Sequence, residues 1–228
     1  MIGTIVNTIA VVAGSSLGML MNKTISVRIQ NVLFMTIGLV TIALGITMLQ
    51  GVENFLLIIV SLVLGVLIGS WCNIEKNIER FGEFLKLKLT IKSNKFSEGI
   101  ITAFLLFCVG SMTILGAIQE GIGEQPNLLY TKSILDFFSS IILASTFGIG
   151  ILFSAVPLFI FQALLTLLAI QLEPFFSAEI ITGLSAVGGV MLIGLGINML
   201  DIKKIPVANM LPALVIVCVL IKILEVIQ

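Results

Sequence analysis

The chain is a series of apolar runs, each long enough to form one helix across a bilayer. A hydrocarbon core about 30 Å thick needs about 20 apolar residues in a helix, which satisfies its own backbone hydrogen bonds there. The pattern predicts eight spans, at residues 2–21, 31–50, 54–72, 98–118, 128–149, 151–172, 180–200 and 206–226. We therefore expect an all-α polytopic membrane protein.

The division between the fifth and sixth spans is the weakest in this pattern. Residues 137–170 contain no charged side chain, and Ser154 with Pro157 is the only turn signal that we identify there. If this turn is absent, the two runs form one span and the count falls to seven.

Composition supports a lipid environment and excludes several classes of protein. Of the 228 residues, 58% are hydrophobic and 11% charged, whereas about 25% are charged in a typical soluble domain. Twelve Lys and Arg balance twelve Asp and Glu, so we expect no nucleic-acid partner. With no His and three scattered Cys, we expect no metal site, no cofactor and no enzyme activity.

The positions of Lys and Arg predict which loops face the cytoplasm. Basic residues near span ends stay on the cytoplasmic side during insertion. An N-terminus outside places every Lys and Arg in or beside a cytoplasmic loop except Lys132 and Lys222. We therefore expect a multi-pass membrane protein with both termini outside. No basic segment precedes the first run, so we expect it to be kept as a helix rather than cleaved as a signal peptide.

The long polar segment at residues 73–97 separates the third and fourth spans. Ile74 and Ile78 recur at helical spacing opposite Glu75 and Glu79, and the same alternation continues beyond them. This pattern predicts an amphipathic helix on the inner leaflet that links two halves of the chain. A docking site for anionic lipid or for a soluble protein is the alternative.

The first and last thirds of the chain resemble each other. Residues 38–49 match residues 189–200 at seven of twelve positions, and two of the matches are glycines. The same alignment sets Glu53 opposite Lys204, so corresponding loops carry reversed charge. Five spans separate the two starts, an odd number, so the copies cross the bilayer in opposite senses.

This symmetry predicts an inverted-topology repeat of the kind that many secondary transporters use. The N-terminal repeat occupies residues 1–72 and the C-terminal repeat residues 151–228, around a two-helix insert at residues 98–150. Chance similarity between two apolar hairpins is the alternative.

Charged and strongly polar side chains inside a span are costly, so each is a candidate site. Lys132 and Asp136 are four residues apart on one face of the fifth span, where they can pair. Asp136 is the leading candidate to bind a cation or take up a proton. Alternatively, the fifth span begins at Asp136, which then caps the helix.

The remaining candidates are uncharged or lie near span ends. Asn7 and Gln162 are carboxamides deep in apolar spans, and each needs a partner from a neighbouring helix or from a bound solute. Glu98 begins the fourth span, where it either caps the helix or contributes to a site. Ser111 is a weaker candidate, as is Asn198, which aligns with a polar residue of the N-terminal repeat.

Two stretches, residues 98–121 and 131–157, resemble the YqgA/YdfK-like bacterial membrane proteins, the domain of unknown function 554 family. The opening run GTIVNTIAVVAGSSLGML is similar as well, so the resemblance covers essentially the whole chain. It implies a multi-pass protein of the bacterial inner membrane, from a family generally described as uncharacterised and sometimes as transport proteins, and it brings no substrate or catalytic residue. It also makes Lys132, Ser133 and Asp136 look like part of a family pattern, which favours Asp136.

Together these patterns predict a secondary transporter or permease for a small solute or ion, working by rocking of two inverted repeats. We expect Asp136, Asn7 and Gln162 near its pathway. A channel-like pore formed by several copies, which a homo-oligomer would provide, is one alternative. A non-transporting subunit that recruits a partner through residues 73–97 is another.

Overall fold

The computed structural model describes residues 1–22, 27–78, 80, 96–108, 111–172 and 174–227, and every regular element in these ranges is helical. The helices are α1 (Ile2–Asn22), α2 (Val27–Thr47), α3 (Phe55–Trp71), α4 (Phe96–Cys108), α5 (Ser111–Gly121), α6 (Asn127–Phe147), α7 (Ile149–Leu167), α8 (Ala169–Leu172), α9 (Ala178–Met199) and α10 (Pro212–Ile227). A short 3-10 helix, Val207–Met210, precedes α10.

The all-helical prediction is confirmed, and several helices are long enough to cross a bilayer. Five of the described helices meet the length and composition of a span, or six if α4 and α5 count as one bent span. Helix α3 and residues 38–47 of α2 are shorter apolar helices. Of the amphipathic segment predicted at 73–97, residues 74–78 are helical and most of the rest lies outside the described residues.

The predicted turn between the fifth and sixth spans is real but lies elsewhere. Gly148 separates α6 from α7 with φ 66° and ψ −138°, a conformation that essentially only glycine adopts. Ser154 and Pro157, which we expected to form the turn, lie inside α7. Pro157 has no backbone N–H to donate to the Phe153 carbonyl, yet helix α7 continues through it. Ser154 Oγ donates to the Ile151 carbonyl of its own helix at 2.6 Å, so this hydroxyl is satisfied without a turn.

The fourth predicted span is divided into two helices. The axes of α4 and α5 differ by 59°, and residues 109–110 between them lie outside the described part of the chain. Thr113 Oγ1 donates to the Phe107 carbonyl at 2.7 Å. This bond satisfies one of the carbonyls that the end of α4 leaves without a helical partner.

The chain divides into two compact units, and the first, compact unit 1, comprises Met1–Ile37 and Leu85–Phe175. Its closest helix contact joins α1 and α6. A Cβ added to Gly14 would collide with Ser140 Oγ, and one added to Gly18 would collide with the Ile141 carbonyl. Residue numbers rise together along both helices, so α1 and α6 run parallel, and the Gly14/Gly18 spacing is the small-xxx-small pattern of close helix packing.

Helix α7 also packs against α1 in the same unit. Thr4 Oγ1 lies 3.3 Å from Thr166 Oγ1, and Val12 lines a groove with Ala155. Numbers rise along one helix as they fall along the other, so α1 and α7 are antiparallel. Helix α4 contacts α7 through edge-to-face aromatic pairs, Phe96 with Phe153 at 5.6 Å and Phe104 with Phe161 at 6.1 Å.

The second, compact unit 2, comprises Gly38–Phe84 and Phe176–Gln228. Its helices also meet at glycines. A Cβ added to Gly45 would lie 2.5 Å from the Gly189 carbonyl oxygen, and one added to Gly65 would lie 2.6 Å from the Ala213 backbone nitrogen. These contacts join α2 to α9 and α3 to α10. The two compact units do not coincide with the domains predicted from the repeat, and that domain division stays a prediction.

We expect Gly45→Ala to lower the free energy of unfolding by about 1–3 kcal/mol, because the added methyl meets backbone on the facing helix. Gly38→Ala is the matched control on α2. Its Cβ would lie 3.1 Å from Met199 Cβ and 3.2 Å from the Gly196 carbonyl oxygen, which small shifts can accommodate. Thermal unfolding in detergent, followed by far-ultraviolet circular dichroism, measures both. Equal stability of the two variants would contradict the close approach of α2 to α9.

Candidate functional site

A buried ion pair lies on α6. Lys132 Nζ is 2.8 Å from Asp136 Oδ1 and 2.7 Å from Oδ2, and the side chains are only 7% and 6% exposed. The ammonium also lies 5.7 Å from the centroid of the Phe107 ring, a cation–π distance. Because both carboxylate oxygens contact the ammonium, the pair carries no net charge and its two members offset each other's desolvation.

Asp136 is an interior helix residue and does not cap the fifth span. Helix α6 begins at Asn127, directly after Pro126. Asp136 is therefore about 14 Å along the helix axis from that start, at 1.5 Å per residue. The capping role that the sequence left open is wrong, because the helix starts more than two turns earlier.

Asn7 of α1 is fully buried next to this pair. Its carboxamide is close enough to the Asp136 carboxylate to interact with it. This contact with Asp136 is looser than a well-formed hydrogen bond, and neither Oδ1 nor Nδ2 of Asn7 has a well-formed partner in the described residues. Leaving a buried polar group unpaired costs about 1–3 kcal/mol, so native structures rarely keep one without a reason.

Gln162 of α7 is the second fully buried carboxamide, and its Oε1 and Nε2 are also unpaired in the described residues. The Thr4–Thr166 contact fixes its level relative to Asn7. Asn7 is three residues after Thr4, and Gln162 is four residues before Thr166. Because α1 and α7 are antiparallel, these steps set Asn7 and Gln162 at a similar depth, one turn further in than the two threonines.

Thr4, Asn7, Gln162 and Thr166 form a polar line along α1 and α7. Glu120 at the end of α5 continues this polar line to the start of α1. Its carboxylate accepts from Gly3 N at 2.6 Å, from Thr4 N at 3.3 Å and from Thr4 Oγ1 at 3.0 Å. A carboxylate is favoured at a helix N-terminus, where backbone donors lack helical acceptors. We did not select Glu120 from the sequence, since it follows the predicted end of the fourth span at residue 118. Its position just beyond that span end is the sequence signal that could have identified it as a candidate.

The structure brings three of the predicted candidates together, namely Asn7, Lys132 and Asp136, and the helix register sets Gln162 at a depth similar to that of Asn7. Asn198 belongs to compact unit 2. There its Nδ2 donates to the Ile205 carbonyl at 2.8 Å and its Oδ1 accepts from Ile205 N at 2.7 Å, so it holds the loop after α9. The backbone of Glu98 lies in the first turn of α4 and that of Ser111 begins α5. Their side chains lie outside the described residues.

A cavity of about 370 Å³ opens in compact unit 2, with Glu53, Glu179 and Glu225 among its lining residues. Glu225 pairs with Lys222 at 2.9 Å and accepts a short hydrogen bond from Ser177. None of the described side chains that line it is a buried unpaired polar group. We therefore assign no site there. Across the described residues, no group of three or more His, Cys, Asp and Glu side chains is placed to hold a metal ion.

Apolar helices of membrane-spanning length and a polar cluster inside them define a polytopic helical membrane protein. The chain belongs to the family described as "Protein of unknown function (DUF554)", whose profile matches residues 2–222. This confirms the resemblance found in the sequence.

Two relatives match almost end to end. The chain is 37% identical over 220 residues to "Uncharacterized membrane protein YdfK" of Bacillus subtilis (strain 168), across 95% of this chain and 93% of that protein. It is 32% identical over 220 residues to "Uncharacterized protein YqgA" of Escherichia coli (strain K12), across 94% of each. No solved structure matches the chain.

We expect Lys132→Met and Asp136→Asn each to cost about 3–5 kcal/mol of stability, because each leaves a buried partner without its opposite charge. The double variant Lys132→Met/Asp136→Leu replaces the pair with apolar groups and should recover most of that loss. Thermal unfolding in detergent measures all three, with the exposed Asp201→Asn as the control. Wild-type stability in both single variants would contradict a closed, buried pair.

Proposed function

We propose that this protein is a secondary transporter or permease that moves a small solute or ion across the bacterial inner membrane. One observation carries the proposal: Asn7 and Gln162 are fully buried, and their four carboxamide atoms are unpaired in the described residues. If these side chains joined the helices, their atoms would be bonded to each other or to nearby backbone. Costly polar groups inside membrane spans typically line the bundle interior or a substrate pathway.

The positions of these residues fit a transport pathway. Asn7 and Gln162 lie on α1 and α7, which are the first helices of the two predicted repeats. The Lys132–Asp136 pair lies on α6, about 14 Å from its start, which is near the middle of a hydrocarbon core about 30 Å thick if α6 begins at the membrane surface. Sites of inverted-repeat transporters occur at that depth, where the repeats meet.

The inverted repeat is part of this proposal, and glycine contacts in compact unit 2 support it. In the alignment, Gly38 corresponds to Gly189 and Gly45 to Gly196. In the structure, Gly38 contacts Gly196 while Gly45 contacts Gly189. Such an exchange of partners is the signature of two copies related by a two-fold axis.

The first and third helices of the predicted repeats are also antiparallel to their equivalents. In compact unit 1, α1 runs antiparallel to α7. In compact unit 2, α3 runs antiparallel to the segment that leads into α10, with Gly65 against Ala213 in α10 and Gly69 against Asn209 in the 3-10 helix before it. Antiparallel packing of each helix with its equivalent is what copies of opposite membrane orientation require.

Transport is tested with the full chain in proteoliposomes. A panel of labelled amides, polyols, amino acids and monovalent ions is offered, with protein-free liposomes as the baseline. We expect at least one solute to enter above baseline. That flux should disappear in Lys132→Met/Asp136→Leu, which removes the buried charges while keeping the fold, and persist in Asp201→Asn. Full flux through the double variant would show that the pathway does not use this cluster.

The reversed orientation of the repeats is tested by labelling aligned loops. Glu53→Cys and Lys204→Cys are made separately in a variant whose native Cys72, Cys108 and Cys218 are Ala. A membrane-impermeant maleimide applied to intact cells should label residue 53 and leave residue 204 unlabelled until the membrane is opened. Labelling of both in intact cells would refute the inverted repeat and the outside placement of the termini.

A further inference from the structure

We propose that the polar cluster binds an electrically neutral solute that both donates and accepts hydrogen bonds, with a planar amide or urea-type group seated between Asn7 and Gln162. This inference rests on the proposed function and names the class of solute. It follows from the charge balance of the cluster and from the kinds of atom that are left unpaired.

The cluster has no net charge to offer a solute. Both oxygens of Asp136 already contact Lys132 Nζ, at 2.8 and 2.7 Å. The nearest further carboxylate on the polar line is Glu120, which is engaged by Gly3 and Thr4 at the start of α1. A solute ion would either remain uncompensated in a buried site or break the pair and strand one of its members, and both are costly.

The unpaired atoms require an occupant with both hydrogen-bonding functions. Oδ1 of Asn7 and Oε1 of Gln162 accept, while Nδ2 and Nε2 each donate two hydrogens. A metal cation would satisfy the oxygens and leave the amide hydrogens unpaired. A simple anion would satisfy the hydrogens and leave the oxygens unpaired. A neutral amide or urea group satisfies both kinds at once.

Shape favours a planar group. A carboxamide presents its oxygen and nitrogen side by side in one plane, so it can form two parallel hydrogen bonds with another amide edge. The register of the Thr4–Thr166 contact sets Asn7 and Gln162 at a similar depth on α1 and α7, and neither carboxamide is hydrogen-bonded to the other. A flat solute between them can therefore pair with one carboxamide on each edge.

Urea, guanidinium and nitrate test this inference because all three are small, planar and Y-shaped. Urea is neutral, guanidinium is a cation and nitrate is an anion. Labelled uptake into proteoliposomes is compared with uptake into protein-free liposomes. We expect urea flux about tenfold above baseline and the two ions near baseline. Asn7→Leu and Gln162→Leu should each lower urea flux about tenfold, the effect of losing one good hydrogen-bonding group. Asn127→Leu and Gln171→Leu, at exposed positions, are matched controls that should leave urea flux unchanged.

Melting temperatures of the same variants separate loss of binding from loss of folding. An apolar side chain of similar size in place of an unpaired buried amide should keep or raise the melting temperature. Lower melting temperatures with unchanged urea flux would mean that the carboxamides only join helices, and would overturn the inference. Unchanged flux at unchanged stability would mean that buried water alone occupies the site, and would overturn it as well.

The outcomes distinguish this inference from the proposed function. Transport of guanidinium or nitrate in preference to urea would overturn the neutral class and leave transport standing, as would a flux of ions only in the broader panel. Absence of flux for every solute in both experiments would overturn the proposed function together with this inference.

Discussion

A polar group buried among lipid-embedded helices has no bulk water to pair with. This constraint determines how the charged and polar side chains of compact unit 1 are paired. The Lys132 and Asp136 charges are tolerable inside α6 because each neutralises the other at hydrogen-bonding distance. The backbone donors at the start of α1 are satisfied by Glu120. Against this background, the carboxamides of Asn7 and Gln162 are the two fully buried side chains of the described part of compact unit 1 in which both a donor nitrogen and an acceptor oxygen are unpaired.

Glycine makes this arrangement geometrically attainable. Without a Cβ at Gly14 and Gly18, α1 approaches the backbone of α6 closely enough for Asn7 to reach the Asp136 carboxylate. The same device joins α2 to α9 at Gly45 and Gly189. Helix association in lipid has little hydrophobic driving force, so close backbone contact supplies much of the attraction. The glycines therefore determine where the polar residues meet.

The sequence was most informative where a physical rule acts along the chain. Apolar length predicted the helices, and the cost of burying charge was enough to single out Lys132 and Asp136. It was weakest where the outcome depends on three-dimensional neighbours. Pro157 looked like a turn because its missing donor is visible in the sequence, whereas the positive φ of Gly148 is not. Glu120 was overlooked because its partners lie more than a hundred residues away, in the first turn of α1.

The single residue between α6 and α7 limits how the protein can move. Gly148 is the whole connection, so the facing ends of the two helices cannot separate by more than about 7 Å, two virtual bonds of the chain. An elevator mechanism, in which one helix carries cargo past its neighbour through the thickness of the membrane, needs displacements larger than this. Relative motion of α6 and α7 is therefore confined to pivoting about their common corner.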